Sequence, residues 1–175
     1  QYGLMGSIYA ERALKRSRPR VALLSNGEEA GKGTALVQEA AELLTGSGVN
    51  FIGNAEPKEI LHGQVDVAVM DGFSGNVMIK TLEALAQVVF DLIRQELMVD
   101  TRSKVAGLLA KPAFRRVHRQ IDPFEIGGAP LLGVDGVVII GHGRPNAVAV
   151  KNAIRQARLA VEGQVVDAIR QGLTQ

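Results

Sequence analysis

A chain of 175 residues with 46% apolar side chains carries enough apolar material to bury a core. It has no Cys and no Trp, which excludes disulfides, thiolate metal sites and cysteine nucleophiles and leaves Val, Ile, Leu and Ala to build that core. The net charge of +2 conceals an uneven distribution, because Arg102, Lys104, Lys111, Arg115, Arg116 and Arg119 fall in a stretch with no acidic residue, while the rest holds 14 basic against 18 acidic residues. Such a basic patch on an acidic body predicts an acidic partner or an anionic surface.

In chain order, Tyr2 to Leu14 reads as a helix whose small residues Gly3, Gly6, Ser7 and Ala10 permit close packing. The chain opens at Gln1 already inside this pattern, so further sequence upstream is expected. Arg12, Lys15, Arg16, Arg18 and Arg20 make a basic connection around Pro19, suited to a helix C-terminus. Val21 to Leu24 reads as the first strand, followed by a loop from Ser25 to Gly33 and a helix from Thr34 to Leu44. The loop is not a P-loop: Gly27 and Gly31 are one residue too close, Gly33 stands where Ser or Thr belongs, and Glu28 and Glu29 would repel a triphosphate. Lys32, between two glycines at a strand-to-helix junction, is placed to meet a small anion or a developing oxyanion, or is simply an exposed loop lysine.

Val49 to Ile52 is expected as a strand, Gly53 to Pro57 as a turn and helix start, and Lys58 to Leu61 as a short helix ending at His62. Val65 to Met70 is apolar in the manner of a buried parallel strand. It runs into Asp71-Gly72-Phe73-Ser74-Gly75-Asn76 and a helix starting near Val77. Gly72 and Gly75 allow close backbone approach or positive φ, Asp71 and Asn76 set polar side chains beside them, and the alternative is a tight turn with Asn76 as N-cap. Strands alternating with helices at this spacing predict parallel βαβ units with right-handed crossovers. The following helix has an apolar stripe of Ile79, Leu82, Ala86, Val89, Ile93 and Leu97, expected to pack on the sheet or on a partner subunit.

The basic segment mixes Val105, Leu108, Leu109, Phe114 and Val117 with its cations, and Pro112 is expected to divide it into a hairpin of two short amphipathic helices. Such a hairpin suits a membrane interface, an acidic protein or a dimer contact. No aromatic platform interleaves the cations, so nucleic acid is not expected. A glycine-rich stretch from Gly127 to Gly133, a strand from Val137 to Ile140 and a loop from Gly141 to Asn146 precede a final helix with the face Val150, Ile154, Ala157, Val161, Val165 and Ile169. Gly141 and Gly143 fall short of a dinucleotide fingerprint. His142 either touches an anion or is a buried, hydrogen-bonded histidine.

Met5-Gly6-Ser7-Ile8-Tyr9-Ala10, Asn26-Gly27-Glu28-Glu29 with Gly31-Lys32-Gly33, Phe51-Ile52-Gly53-Asn54, Asp71 to Asn76 and Gly127 to Gly133 together resemble, in the same order, the bacterial phosphate acyltransferase family PlsX. The resemblance covers essentially the whole chain and corresponds to the carboxyl-terminal half of that family. It implies transfer of an acyl group from acyl-[acyl carrier protein] to inorganic phosphate, giving acyl phosphate and free carrier protein for phospholipid synthesis. It also implies an α/β fold, a Rossmann-like α/β/α sandwich similar to isopropylmalate and isocitrate dehydrogenases, with residues 1–175 as a single α/β unit and the basic helical hairpin inserted at about 98–122. Homodimers in the bacterial cytoplasm, peripherally associated with an anionic membrane surface, are implied too, with no metal and no cofactor.

By position, Lys32 and Asn76 match the family's active-site residues. Asn26, Gly27, Gly31, Gly33, Asp71, Gly72, Ser74, Gly75 and His142 form the phosphate- and substrate-binding set expected around them. Arg102, Lys104, Leu108, Leu109, Lys111, Phe114, Arg115, Arg116 and Arg119 are the expected contacts to membrane or carrier protein. The chemistry is compatible, because phosphate is already an oxygen nucleophile and the protein has only to hold it beside a thioester and stabilise an oxyanion. A dehydrogenase of similar fold would require a dinucleotide fingerprint or a carboxylate metal cluster that the sequence does not display. A non-catalytic dimerisation and membrane-binding piece is the other alternative.

Overall fold

The computed structural model describes residues 1–141, 143 and 145–174. The mixed α/β expectation holds at the amino-terminal end. A helix α1 (Tyr2–Arg12) leads to strand β1 (Val21–Leu24), and helix α2 (Ala35–Thr45) connects β1 to β2 (Phe51–Ala55). The short helix α3 (Pro57–Leu61) connects β2 to β3 (Val67–Val69). The three strands form one parallel sheet in the order β2-β1-β3, with β1 central and Val21, Ala22 and Leu23 buried. The small residues of α1 pack as expected: a Cβ on Gly3 would meet Leu44 Cδ2 at 2.5 Å, and one on Gly6 would meet Val67 Cγ1 at 2.7 Å.

Strand β2 begins and ends later than the sequence predicts, because Gly53, Asn54 and Ala55 belong to it rather than to a turn. The register slips there: Val21 pairs with Phe51 but Leu23 with Asn54, and Gly53 takes the extra position with φ of 96°. This is a bulge that only a residue without Cβ adopts freely. On the other flank, Arg20 and Asp66 tie β1 to β3. Asp66 accepts from the Arg20 backbone N at 2.9 Å and from its Nε at 2.8 Å.

Helix α4 (Gly72–Leu97) corrects the reading of residues 71–76. There is no glycine loop and Asn76 is not the cap. Asp71 is, with Oδ1 accepting from the amides of Phe73 and Ser74, both at 2.9 Å, so the helix starts five residues earlier. Neither Gly72 nor Gly75 has a positive φ; Gly75 is the one buried residue of the helix, against Met70. The apolar stripe on α4 is not a core stripe, since Ile79 and Val89 are exposed and Ile93 and Leu97 only half-buried.

Helix α5 (Thr101–Ile121) is continuous through Pro112, which corrects the expected hairpin within 98–122. The pairing is instead between α5 and the end of α4, across an open groove of about 920 Å³ lined by Phe90, Ile93, Leu97, Leu108 and Phe114. A proline removes one i to i−4 bond and kinks a helix, but in a long exposed helix its neighbours carry the ladder on.

A short helix α6 (Pro123–Ile126) precedes β4 (Ala129–Pro130), which pairs antiparallel with β5 (Ile139–Ile140). This ribbon is separate from the parallel sheet. The expected final helix is two: α7 (Ala147–Glu162) and α8 (Val165–Leu173), divided at Gly163 and at Gln164, whose φ is 51°. A Cβ on Gly163 would meet Arg12 O at 2.7 Å, so the end of α1 abuts the break.

The predicted face of α7 is also overturned: Val150, Ile154 and Val161 are exposed, whereas Ala149, Asn152, Gln156 and Ala160 are buried. The polar pair faces inward because Asn152 Nδ2 donates to Phe124 O at 3.1 Å and Gln156 Nε2 to Ile126 O at 3.4 Å. These bonds tie α7 to the carbonyls of α6. Val165 and Ile169 do join Met5, Ala13 and Ala160 in the core.

Candidate active site

The carboxyl ends of β1 and β3, adjacent and parallel, deliver the two predicted catalytic residues to one edge of the sheet. Leaving β1, the loop from Ser25 to Thr34 carries Lys32; leaving β3, Asp71 caps α4, whose first turns carry Asn76. Both side chains are exposed, and among the described residues the Lys32 ammonium makes no ion pair. In open α/β sheets ligands bind at this edge.

The Lys32 loop is shaped by its glycines. A Cβ on Gly27 would meet Lys32 Cγ at 2.9 Å, so the lysine stem crosses the space a side chain would fill. Gly33 adopts φ of 93° and its Cβ would meet Val37 and Ser25 Oγ. Asn26 Oδ1 accepts from Gly33 N at 3.0 Å, and Lys32 N donates to Glu29 O at 2.9 Å. A Cβ on Gly31 would meet open space, so that glycine is not required by sterics here.

These bonds change how an anion would be held. Part of the expected cradle of backbone amides is committed: Phe73 N and Ser74 N to the Asp71 side chain, Gly75 N to Asp71 O, Gly33 N to Asn26 and Lys32 N to Glu29. Asp71 itself is kept ionised, its carboxyl held below the ordinary carboxylate value by hydrogen bonds from the Ser74 side chain and then the Ser74 and Phe73 amides. With those amides engaged, the exposed side chains at this edge, Lys32 and Asn76 among them, are open to an anion. The Asn26 side chain serves the local backbone and the Ser74 side chain the Asp71 carboxylate, and a Cβ on Gly72 would meet open space. His142 lies outside the described residues.

Of the two acidic loop residues, Glu28 is drawn away from Lys32. Its carboxylate sits 3.2 Å from Lys58 Nζ, which also lies 3.2 Å from Glu56 and 3.4 Å from Glu59. The three carboxylates could group around a metal ion, but the Lys58 ammonium already supplies the opposite charge, and its pKa is raised by Glu28 first and then by Glu56 and Glu59.

Sequence reasoning gave no role to three residues that touch this loop. Asn54 and Gln38 donate to its carbonyls, and Ser25 Oγ and Asn54 Oδ1 are buried without a hydrogen-bond partner. The signal available was the Gly53-Asn54 pair, which marks a bulge.

The basic residues Arg102, Lys104, Lys111, Arg115, Arg116 and Arg119 are all exposed on α5, as are Leu108 at 70% and Leu109 at 77%; Phe114 is half-buried. No helix among the described residues is long and apolar enough to cross a membrane.

The family model described as fatty acid synthesis protein matches residues 1–168. The chain belongs to this family. It is 48% identical over 174 residues to a phosphate acyltransferase of Dictyoglomus turgidum, an alignment covering 99% of this chain and 52% of the relative. The phosphate acyltransferase of Anaeromyxobacter sp. strain K is 48% identical over 169 residues, 97% of this chain and 47% of the relative. That of Pelotomaculum thermopropionicum is 45% identical over 173 residues, covering 99% and 51%. The chain thus spans about half the length of the curated relatives it matches.

Proposed function

We propose that this chain is the carboxyl-terminal half of a phosphate acyltransferase that moves an acyl group from acyl-[acyl carrier protein] to inorganic phosphate. The observation that carries the reading is the delivery of Lys32 and Asn76 to one sheet edge in a chain 48% identical to a protein of that name. A phosphate oxygen attacks the thioester carbonyl, the tetrahedral oxyanion collapses, the C–S bond breaks, and the carrier thiol leaves as free carrier protein. Lys32 neutralises phosphate or oxyanion charge and Asn76 donates a hydrogen bond from its amide. Neither role requires a covalent enzyme intermediate, a metal or a redox cofactor, and the relatives' name favours acyl transfer over hydride transfer.

The family reading carries with it a dehydrogenase-like α/β/α sandwich, a homodimer and peripheral attachment to an anionic membrane. What supports the last two is the unpartnered apolar surface of α4 beside the cationic α5. The test of the catalytic reading is Lys32→Ala in the full-length protein, assayed by phosphate-dependent release of carrier protein. Turnover falls by roughly 100-fold or more, the range for a lost oxyanion donor. A rate within twofold of wild type removes Lys32 from the mechanism.

A further inference from the structure

We propose that Asn54 is a positioning residue for Lys32, holding the loop that carries it; the inference rests on the catalytic reading of Lys32. Asn54 follows the Gly53 bulge in β2, pairs with Leu23, and extends its side chain onto the loop leaving β1. There Asn54 Nδ2 donates to Glu29 O at 2.9 Å and to Lys32 O at 3.3 Å, fixing the backbone of the lysine itself. From the opposite side Gln38 Nε2, on α2, donates to Gly31 O at 2.9 Å and approaches Gly33 O at 3.5 Å. Four successive or near-successive loop carbonyls thus accept from two side-chain amides anchored on regular elements.

The orientation of the Asn54 amide is dictated by chemistry. Two carbonyl oxygens can only accept, so the nitrogen must face them, and the oxygen is left buried with no partner. What the arrangement adds is a further hold on the backbone of a long, rotamer-rich side chain, and a misplacement of about 1 Å at a reacting centre costs as much as 100-fold in rate. Asn54 touches neither substrate nor reacting atoms in this scheme; it acts through Lys32.

The test is a double-mutant cycle in the full-length protein with Lys32→Ala, Asn54→Ala and both together, read as kcat, KM for phosphate and amide hydrogen exchange of residues 27–33. Asn54→Ala lowers kcat by about tenfold or more, speeds exchange of the loop but not of Val21–Leu24, and adds nothing in the Lys32→Ala background. Asn54→Asp, which keeps the shape but sets a carboxylate against the two carbonyls, guards against a folding failure of the alanine variant and loses at least as much. A crippled Lys32→Ala with Asn54→Ala and Asn54→Asp within twofold of wild type overturns the inference and leaves the catalytic reading standing. Fully multiplicative losses in the double variant overturn it too, since Asn54 would then act independently of Lys32. An active Lys32→Ala overturns both.

Discussion

Replacing Asp66 by Asn removes one charge from the clamp that joins the start of β1 to β3 and keeps the side chain's size. Asp66 accepts from Arg20 N, Nε and Nη2 at 2.9, 2.8 and 3.3 Å, while Arg20 O takes the amides of Asp66 and Val67 at 2.9 and 3.0 Å. The Arg20 side-chain hydrogen bond, followed by that from the Arg20 backbone, pulls the Asp66 carboxyl from an ordinary 3.8 to about 2. A depression of that size corresponds to about 2.4 kcal/mol at full strength. The Arg20 side chain is 43% exposed against 19% for Asp66, so solvent screening reduces the contribution to about 1–2 kcal/mol.

The folded-state pKa lies below the unfolded one. The stabilisation is therefore complete above about pH 5, shrinks as pH falls past 3.8 and is lost as pH falls through about 2. In a chain of 175 residues, Asp66→Asn lowers Tm by about 3–6 °C at pH 7. Calorimetry or circular dichroism of both proteins between pH 7 and pH 2 reads the difference, which narrows toward zero at the acid end. An equal Tm at pH 7, or a gap that stays constant to pH 2, refutes the reasoning.

Gly127→Ala should destabilise far more. Its φ of 90° is unfavourable for a residue with Cβ, and that Cβ would lie 2.4 Å from Ala153 N and 2.6 Å from Asn152 C, backbone atoms that cannot yield. Strain and overpacking together cost about 3 kcal/mol or more, a Tm fall of about 6–12 °C in a thermal melt; a change under 2 °C would show the contact to be wrong. For the membrane reading, the protein sediments with vesicles containing anionic lipid at low salt. Arg115→Gln, Arg116→Gln and Arg119→Gln together weaken binding roughly 100-fold, at about 1 kcal/mol per charge. Binding to neutral vesicles that is indifferent to salt would defeat it.

Where the candidate site residues fall in the fold was legible because the signals are local. A short apolar run followed by a polar, glycine-bearing stretch and a periodic helix identifies a β-to-α junction, and two such junctions placed Lys32 and Asn76 at strand ends. The cap was misassigned because Asp71 and Asn76 are both capable N-cap residues. The side chain that wins is the one whose oxygen reaches two amides, a matter of backbone geometry rather than residue type. Asn54 and Gln38 were invisible as a pair: they lie on different elements and meet only because α2 and β2 flank the same loop.

By itself the sequence determined the parallel βαβ rhythm of residues 21–69, the close approach of α1 at Gly3 and Gly6, and the segregation of positive charge onto residues 102–119. Each follows from periodicity, side-chain size or charge along the chain. Tertiary structure decided which apolar faces are covered. Val150, Ile154 and Val161 lose the inward side of α7 to Asn152 and Gln156, whose side-chain amides donate to the carbonyls of Phe124 and Ile126 as no aliphatic side chain could. Side-chain hydrogen bonds to loop carbonyls likewise bring Asn54 to the Lys32 loop, a contact that no hydrophobic pattern announces.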